Sequence, residues 1–122
     1  MLDPLNGYLL LAYKLYGNPK RFSGAWNFGP HVSKNYNVKK VVKSLLYFMN
    51  IKKKVFIKRN IKFKETNILI LNCKKSKNYL NWKPKWSVKK SIEMTAQWYK
   101  EYVSNKKNIK NLAFDQISEF FK

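Results

Sequence analysis

Residues 23–30 read Ser-Gly-Ala-Trp-Asn-Phe-Gly-Pro. Trp26 and Phe28 alternate with small or polar neighbours, the period-two pattern of a half-buried strand. Gly29-Pro30 then forces a turn. Ser23–Phe28 therefore reads as a short strand, and the fold class turns on it. Together with two further apolar runs downstream it makes the chain mixed α/β.

Upstream, Asp3-Pro4 suits a helix start. Asp3 can cap free amides, and Pro4 fits the first helical position, where its missing N–H costs nothing. Leu5, Tyr8, Leu9, Ala12, Leu15 and Tyr16 recur at helical spacing until Gly17 and Pro19 end the run. Downstream, Asn37 can cap a helix from Val38 to about Met49, with Val38, Val41, Val42, Leu45 and Leu46 on one face. Val55-Phe56-Ile57 and the continuous apolar run Ile68-Leu69-Ile70-Leu71 read as two further strands, the second a buried one. A short helix over residues 74–80 leads into the turn Trp82-Lys83-Pro84-Lys85-Trp86. Ser87 caps a longer helix whose inner face is Val88, Ile92, Thr95, Ala96, Tyr99 and Val103, with Glu93 and Glu101 outside. A polar break at 104–111 precedes a final short helix bearing Ile117, Phe120 and Phe121. The expected order is helix, strand, helix, strand, strand, short helix, helix, helix: an α/β chain whose sheet is incomplete.

The 122 residues include 26 Lys and Arg against six acids, a formal charge of +20. Such a charge points first to an anionic partner. The kind of base weighs against nucleic acid. Arg21 and Arg59 are the only arginines, and Lys substitutes poorly for bidentate phosphate or base recognition. Asn, Ile, Phe and Tyr are abundant alongside Lys, and all have A/T-rich codons. Mutational bias raises them together without selecting a partner. Cys73 is the single cysteine and His31 the single histidine, so neither an internal disulfide nor a zinc site is expected, and a cytoplasmic setting fits. Residues 1–4 lack the features of a signal peptide. The longest apolar run, Tyr8 to Tyr13, is too short to span a bilayer.

Catalytic constellations are absent from the sequence. Asp3, Glu65, Glu93, Glu101, Asp115 and Glu119 are scattered, and no Gly-rich phosphate loop is present. Tyr13-Lys14 and Tyr99-Lys100 are adjacent residues that diverge by about 100° on a helix. Cys73 has no adjacent base and reads as a small apolar residue. Trp82 and Trp86 bracket a proline; exposed beside a basic groove they would be stacking platforms, whereas buried they lock the turn against the long helix near Trp98 and Tyr99. Packing is the expected role.

Four segments carry a resemblance: Asp3-Pro4-Leu5-Asn6-Gly7-Tyr8-Leu9-Leu10-Leu11-Ala12; Phe22-Ser23-Gly24-Ala25-Trp26-Asn27-Phe28-Gly29-Pro30; Leu80-Asn81-Trp82-Lys83-Pro84; and Trp98-Tyr99-Lys100. In order and spacing they resemble the C-terminal third of the CDP-glucose 4,6-dehydratases, within the extended short-chain dehydrogenase/reductase superfamily. The resemblance implies the substrate-binding portion of such an enzyme, with an incomplete Rossmann-type sheet and helices, spanning residues 1–122. It implies that the N-terminal part, which holds NAD, is not in this chain. The substrate implied is a CDP-hexose.

Residue by residue, Lys64-Glu65-Thr66 stands where relatives have a His-Glu-Ala-type segment. Glu65 is then the candidate contact to ribose hydroxyls, since a carboxylate accepts two such hydrogen bonds. Lys64 is the candidate neighbour of the diphosphate. Asn27 and His31 are further substrate-side candidates; His31 follows the Gly-Pro turn, where a surface-loop role is the alternative. Asn72 replaces Asp as a helix cap, and Asn81 replaces Gly at a position suited to a left-handed turn. The family's Tyr-x-x-x-Lys and cofactor loop have no counterpart here, so no catalytic, cofactor-binding or metal residue is assigned, and no activity is expected from this chain alone. The first helix is further expected to leave Leu5, Leu9 and Leu11 exposed, as a mark of a missing partner.

Overall fold

A computed structural model describes residues 2–30, 36–56, 71–104 and 106–122. Its regular elements are α1 (Leu2–Gly17), α2 (Pro19–Phe22), α3 (Val38–Phe48), α4 (Lys74–Leu80), α5 (Val88–Ser104), a 3-10 turn (Lys106–Asn108) and α6 (Ile109–Phe121). All regular structure among the described residues is helical, which corrects the α/β expectation and its Rossmann-type sheet. Ser23–Phe28 is irregular, and Gly24 sits at φ +101°, a backbone state that breaks a strand for any other residue. The segment lies beside residues 71–76, but side chains rather than a ladder satisfy its carbonyls. Lys75 Nζ donates to the Ala25 carbonyl at 3.1 Å and Ser76 Oγ donates to that of Asn27. Val55 and Phe56 are irregular, and Phe56 is exposed. Ile57 and Ile68–Ile70, from the other two expected strands, lie outside the described residues.

Helix boundaries follow local chemistry. Asn18 Oδ1 accepts from Arg21 N at 3.1 Å, with Pro19 at the start of α2. Asn37 Oδ1 accepts from Lys40 N at 3.0 Å at the head of α3, as expected, and Ser87 Oγ accepts from Lys90 N at the head of α5. Asn72 Oδ1 accepts from Lys74 N at 3.0 Å as the chain enters α4. Asn81, at φ +52°, ends α4, and its amide and that of Trp82 both donate to the Ser76 carbonyl. This left-handed cap is the role read for Asn81, a residue type that tolerates the conformation.

Two clusters form the interior. In the first, Phe22, Phe28, Leu80 and Trp82 pack with Leu10, Leu11, Leu15, Trp26 and Cys73. In the second, Ile92, Met94, Ala96 and Phe120 are buried on α5 and α6. α5 is covered on two sides. Its Lys90 and Met94 side meets α6, through the Lys90–Glu119 ion pair at 2.7 Å and a hydrogen bond from Gln116 Nε2 to the Met94 carbonyl at 3.0 Å. Its Val88–Ile92–Thr95 side faces Val41 and Leu45 of α3. The sequence pattern showed only this second face, so Met94 was not anticipated. Tyr99 and Val103, placed inside by the pattern, are largely exposed, because α5 is 17 residues long against 11 for α3. The Lys90 ammonium is held above its ordinary value, first by its hydrogen bond to Glu119. A raised lysine pKa stabilises below the ordinary lysine range and is lost as pH climbs through the raised value, so this pair is intact at neutral pH.

The turn at 82–86 rivets the two clusters together. Trp82, 3% exposed, enters the first, edge-on to Phe28 at 5.1 Å. Trp86 meets Phe120 of the second at 5.2 Å, and Lys85 Nζ donates to the Phe120 carbonyl at 3.0 Å. Asp3 closes the joint. Its buried carboxylate accepts from the amides of Lys85 and Trp86, and its carbonyl accepts from the Trp82 indole at 3.3 Å. Asp3 does cap free amides, but those of a turn some eighty residues away rather than of its own helix. Asp3→Ala leaves two amides without an acceptor and is expected to cost about 2–4 kcal/mol in urea unfolding, while Asp3→Asn, which keeps one acceptor oxygen, loses about half of that.

Gly7 marks the closest approach in the first cluster. A Cβ there would fall inside contact distance of Cγ, Cδ1 and Cε1 of the Phe28 ring. Gly7→Ala should gain about 1 kcal/mol of helix propensity yet lower stability overall, since the overpacking it forces costs about 1–3 kcal/mol. A raised melting temperature would contradict the packing described.

Candidate functional site

The four residues read as substrate-binding are not brought together. His31, Lys64 and Glu65 lie outside the described residues. Asn27 is described, and it acts as a tether. Its Nδ2 donates to the Asn72 carbonyl at 3.3 Å, and its carbonyl accepts from Ser76 Oγ, a hydroxyl with no exposed surface. Beside it, Lys75 Nζ lies 4.2 Å from the centre of the Trp26 ring, a cation–π contact, while the Trp26 indole donates to the Phe22 carbonyl at 2.8 Å. Asn27, Lys75 and Ser76 therefore pin residues 25–27 onto the start of α4. Sequence reasoning missed Lys75 and Ser76. Both sit in a lysine-rich run that reads as drift, and no local pattern announces a partner some fifty residues distant.

A groove of about 340 Å³ opens between the first turn of α1, the 82–86 turn, α3 and α5. Its walls are mostly apolar, including Pro4, Pro30, Leu45, Pro84, Trp86 and Ile92. Two of the polar side chains at its edge are already engaged. Thr95 Oγ1 donates to the Ser91 carbonyl at 2.8 Å, and Asp3 serves the Lys85 and Trp86 amides. Such a groove can bury apolar surface but holds no acid–base pair.

Elsewhere among the described residues the acids have structural settings. Glu119 pairs with Lys90, and Glu93, Glu101 and Asp115 lie along α5 and α6. No group of three His, Cys, Asp or Glu side chains among the described residues could hold a metal ion. The Cys73 sulfur is half-buried, 3.7 Å from the Leu71 carbonyl and 4.0 Å from that of Gly29. Of the four glycines, Gly7 is filled by Phe28, Gly24 and Gly29 lie against Lys75 and against Leu71 and Cys73, and Gly17, at the end of α1, has open space beside it. No helix of the described residues is long and apolar enough to cross a membrane.

The surface of α1 is the other marked feature. Gly7, Leu10, Leu11 and Leu15 face the first cluster. The opposite side carries Leu5, Leu9, Tyr13 and Tyr16, all exposed, with Leu9 at 69%, Tyr13 at 72% and Tyr16 at 93%, while Tyr8, exposed at the flank, sets its ring edge-on to Phe28 at 5.4 Å. Leu5 and Leu9 are thus exposed as expected, whereas Leu11 packs against the core.

Over 103 residues, 84% of its length, the chain is 27% identical to CDP-glucose 4,6-dehydratase of Salmonella typhimurium, and the match covers 29% of that protein. The chain thus spans less than a third of the relative's length. No protein-family model matches it. The finding shows a distant relationship to a nucleotide-sugar dehydratase.

Proposed function

We propose that this chain supplies the substrate-side, C-terminal part of a nucleotide-sugar dehydratase, acting on a CDP-hexose in a cytoplasmic assembly whose NAD-binding part lies on other residues. One observation carries this reading. Three of the four segments that resemble the dehydratases, residues 3–12, 22–30 and 80–84, fold onto one another as a single cluster. Leu10 and Leu11 come from the first, Phe22, Trp26 and Phe28 from the second, Leu80 and Trp82 from the third. Motifs alike only by chance would have no reason to share a core. The distant match to the Salmonella enzyme points the same way.

In this reading the chain's own residues bind and orient, and chemistry belongs to the remainder. Bound there, NAD would accept and return a hydride. Lys64 and His31 are assigned to the diphosphate and sugar side of the substrate, and Glu65 to the ribose hydroxyls. Asn27 is assigned to the rim, where the tether to Asn72 and Ser76 fixes its backbone. A nucleic-acid reading would need tryptophans free to stack. Trp82 is buried, and Trp26 and Trp86 are held in ring contacts with Phe22, Tyr79 and Phe120.

The test is a graft. The chain replaces the matching third of the Salmonella enzyme, and the chimera and the isolated chain are each given CDP-glucose and NAD. The chimera should form the 4-keto-6-deoxy product, lose most of its turnover on Glu65→Ala, and keep its thermal stability on that change. The isolated chain should form none. Product from the isolated chain, or a folded chimera that neither binds nor converts CDP-glucose, would contradict the proposal.

A further inference from the structure

α3 is amphipathic, and only its apolar side is covered. Val41 and Leu45 face α5 across the groove. Lys39, Lys43 and Tyr47, at four-residue spacing, and Lys40 beside them lie on the side away from it. All four are exposed, Tyr47 at 76%. Tyr36, Lys40, Lys43 and Ser44 border a shallow hollow of about 360 Å³, so two ammonium groups and two hydroxyls share one space. Asn50, at φ +58°, turns the chain out of the helix; its amide donates to the Tyr47 carbonyl and that of Ile51 to the Leu46 carbonyl. Lys52, Lys53 and Lys54 follow at once, all exposed, and Phe56 beyond them is 88% exposed. Residues 36–56 thus hold six lysines and no acid. Elsewhere lysines serve the fold: Lys75 and Lys85 donate to carbonyls and Lys90 pairs with Glu119. None of these six ammonium groups is so engaged among the described residues. Codon bias raises lysine throughout a chain but does not clear acids from one stretch, and from Pro4 to Lys64 there is none.

We propose that the outer side of α3, with the Lys52–Lys54 run, is a docking surface for an anionic phospholipid bilayer. The proposal stands apart from the dehydratase reading and rests on charge and side-chain type. An anionic bilayer attracts each lysine near its surface by about 1 kcal/mol. It asks for no fixed geometry, which suits point charges on flexible stems. Tyr36, Tyr47 and Phe56 are side chains suited to a headgroup boundary, where a ring meets the apolar layer and a hydroxyl the polar one. The hollow beside Lys40 and Lys43 offers ammonium and hydroxyl donors to a headgroup phosphate. Nucleic acid fits less well. Residues 36–56 contain no arginine for bidentate contacts and no tryptophan for stacking. Val41 and Leu45 are turned to α5, so the chain rests on the bilayer with its tyrosines and Phe56 at the boundary and does not bury a whole helix face in it.

The test floats the chain with vesicles of phosphatidylcholine alone and of phosphatidylcholine mixed with phosphatidylglycerol. Binding should require the anionic lipid and weaken as salt is added. Lys39→Gln, Lys40→Gln and Lys43→Gln together should weaken it about tenfold or more. The same loss of charge elsewhere, by Lys100→Gln, Lys107→Gln and Lys110→Gln, should leave it nearly unchanged. All six side chains are exposed, and the far-UV spectrum should be the same for both variants. Oxidative footprinting of the unaltered chain gives a readout free of mutation: Tyr36 and Tyr47 should be protected on anionic vesicles, while Tyr16 stays reactive. Equal binding to neutral vesicles, equal losses from the two triple variants, or protection of Tyr16 in place of Tyr47 would overturn the proposal. So would displacement from the vesicles by a duplex oligonucleotide at matched phosphate concentration, which would assign the surface to nucleic acid.

Discussion

The Asp3 carboxylate is the constraint on which the arrangement depends. It reaches from the first turn of α1 to the amides of Lys85 and Trp86, while the carbonyl of the same residue holds the Trp82 indole. These bonds fix the 82–86 turn, and the turn sends one tryptophan into each cluster. A buried carboxylate is costly unless hydrogen bonds replace its hydration. Here two main-chain amides do so, and desolvation turns the exchange into a joint with little freedom. The first turn of α1, the 82–86 turn and the last helix are thereby linked.

Charge and apolar surface play different parts. The lysines are mostly solvated, and several cover aromatic rings: Lys75 lies over Trp26, and Lys85 over Phe120 and Phe121. Long aliphatic stems with a cationic tip suit that use, so part of the basic excess serves packing. Lys90–Glu119 is the one ion pair among the described residues, and a surface pair contributes little. Cohesion comes from the aromatic cluster around Phe22, Phe28 and Trp82 and from the buried apolar side chains of α5 and α6. Function, in the proposed reading, comes from what those clusters hold in place, the 22–30 segment.

Much of the helical content was legible in the sequence, because its signals are local. Asn37, Ser87, Gly17 and the 74–80 run each act within one turn of their own position. The strand at Ser23–Phe28 was misread because alternation of Trp26 and Phe28 with small residues records burial, not pairing. What the segment lies against is α4, whose own backbone is spent within the helix, leaving only Lys75 and Ser76 side chains to meet its carbonyls. Met94 was missed because one apolar periodicity cannot reveal a second covered face. Asp3 was assigned the right chemistry and the wrong partner. Packing of Trp82 and Trp86 was foreseen, but against Trp98 and Tyr99 rather than Phe28 and Phe120; Trp98 instead stacks on Tyr102. Of the expected substrate residues only Asn27 falls among those described, and its contacts are invisible in sequence because their partners lie 45 and 49 residues away.

The central claim, that Asp3 unites both clusters through the 82–86 turn, is tested most directly by native-state hydrogen exchange. The Lys85 and Trp86 amides and the Trp82 indole should exchange as slowly as the Leu10 and Leu11 amides of α1, all opening together. Fast exchange at Lys85 and Trp86 while α1 stays protected would show that the turn moves independently, and the joint described here would not exist.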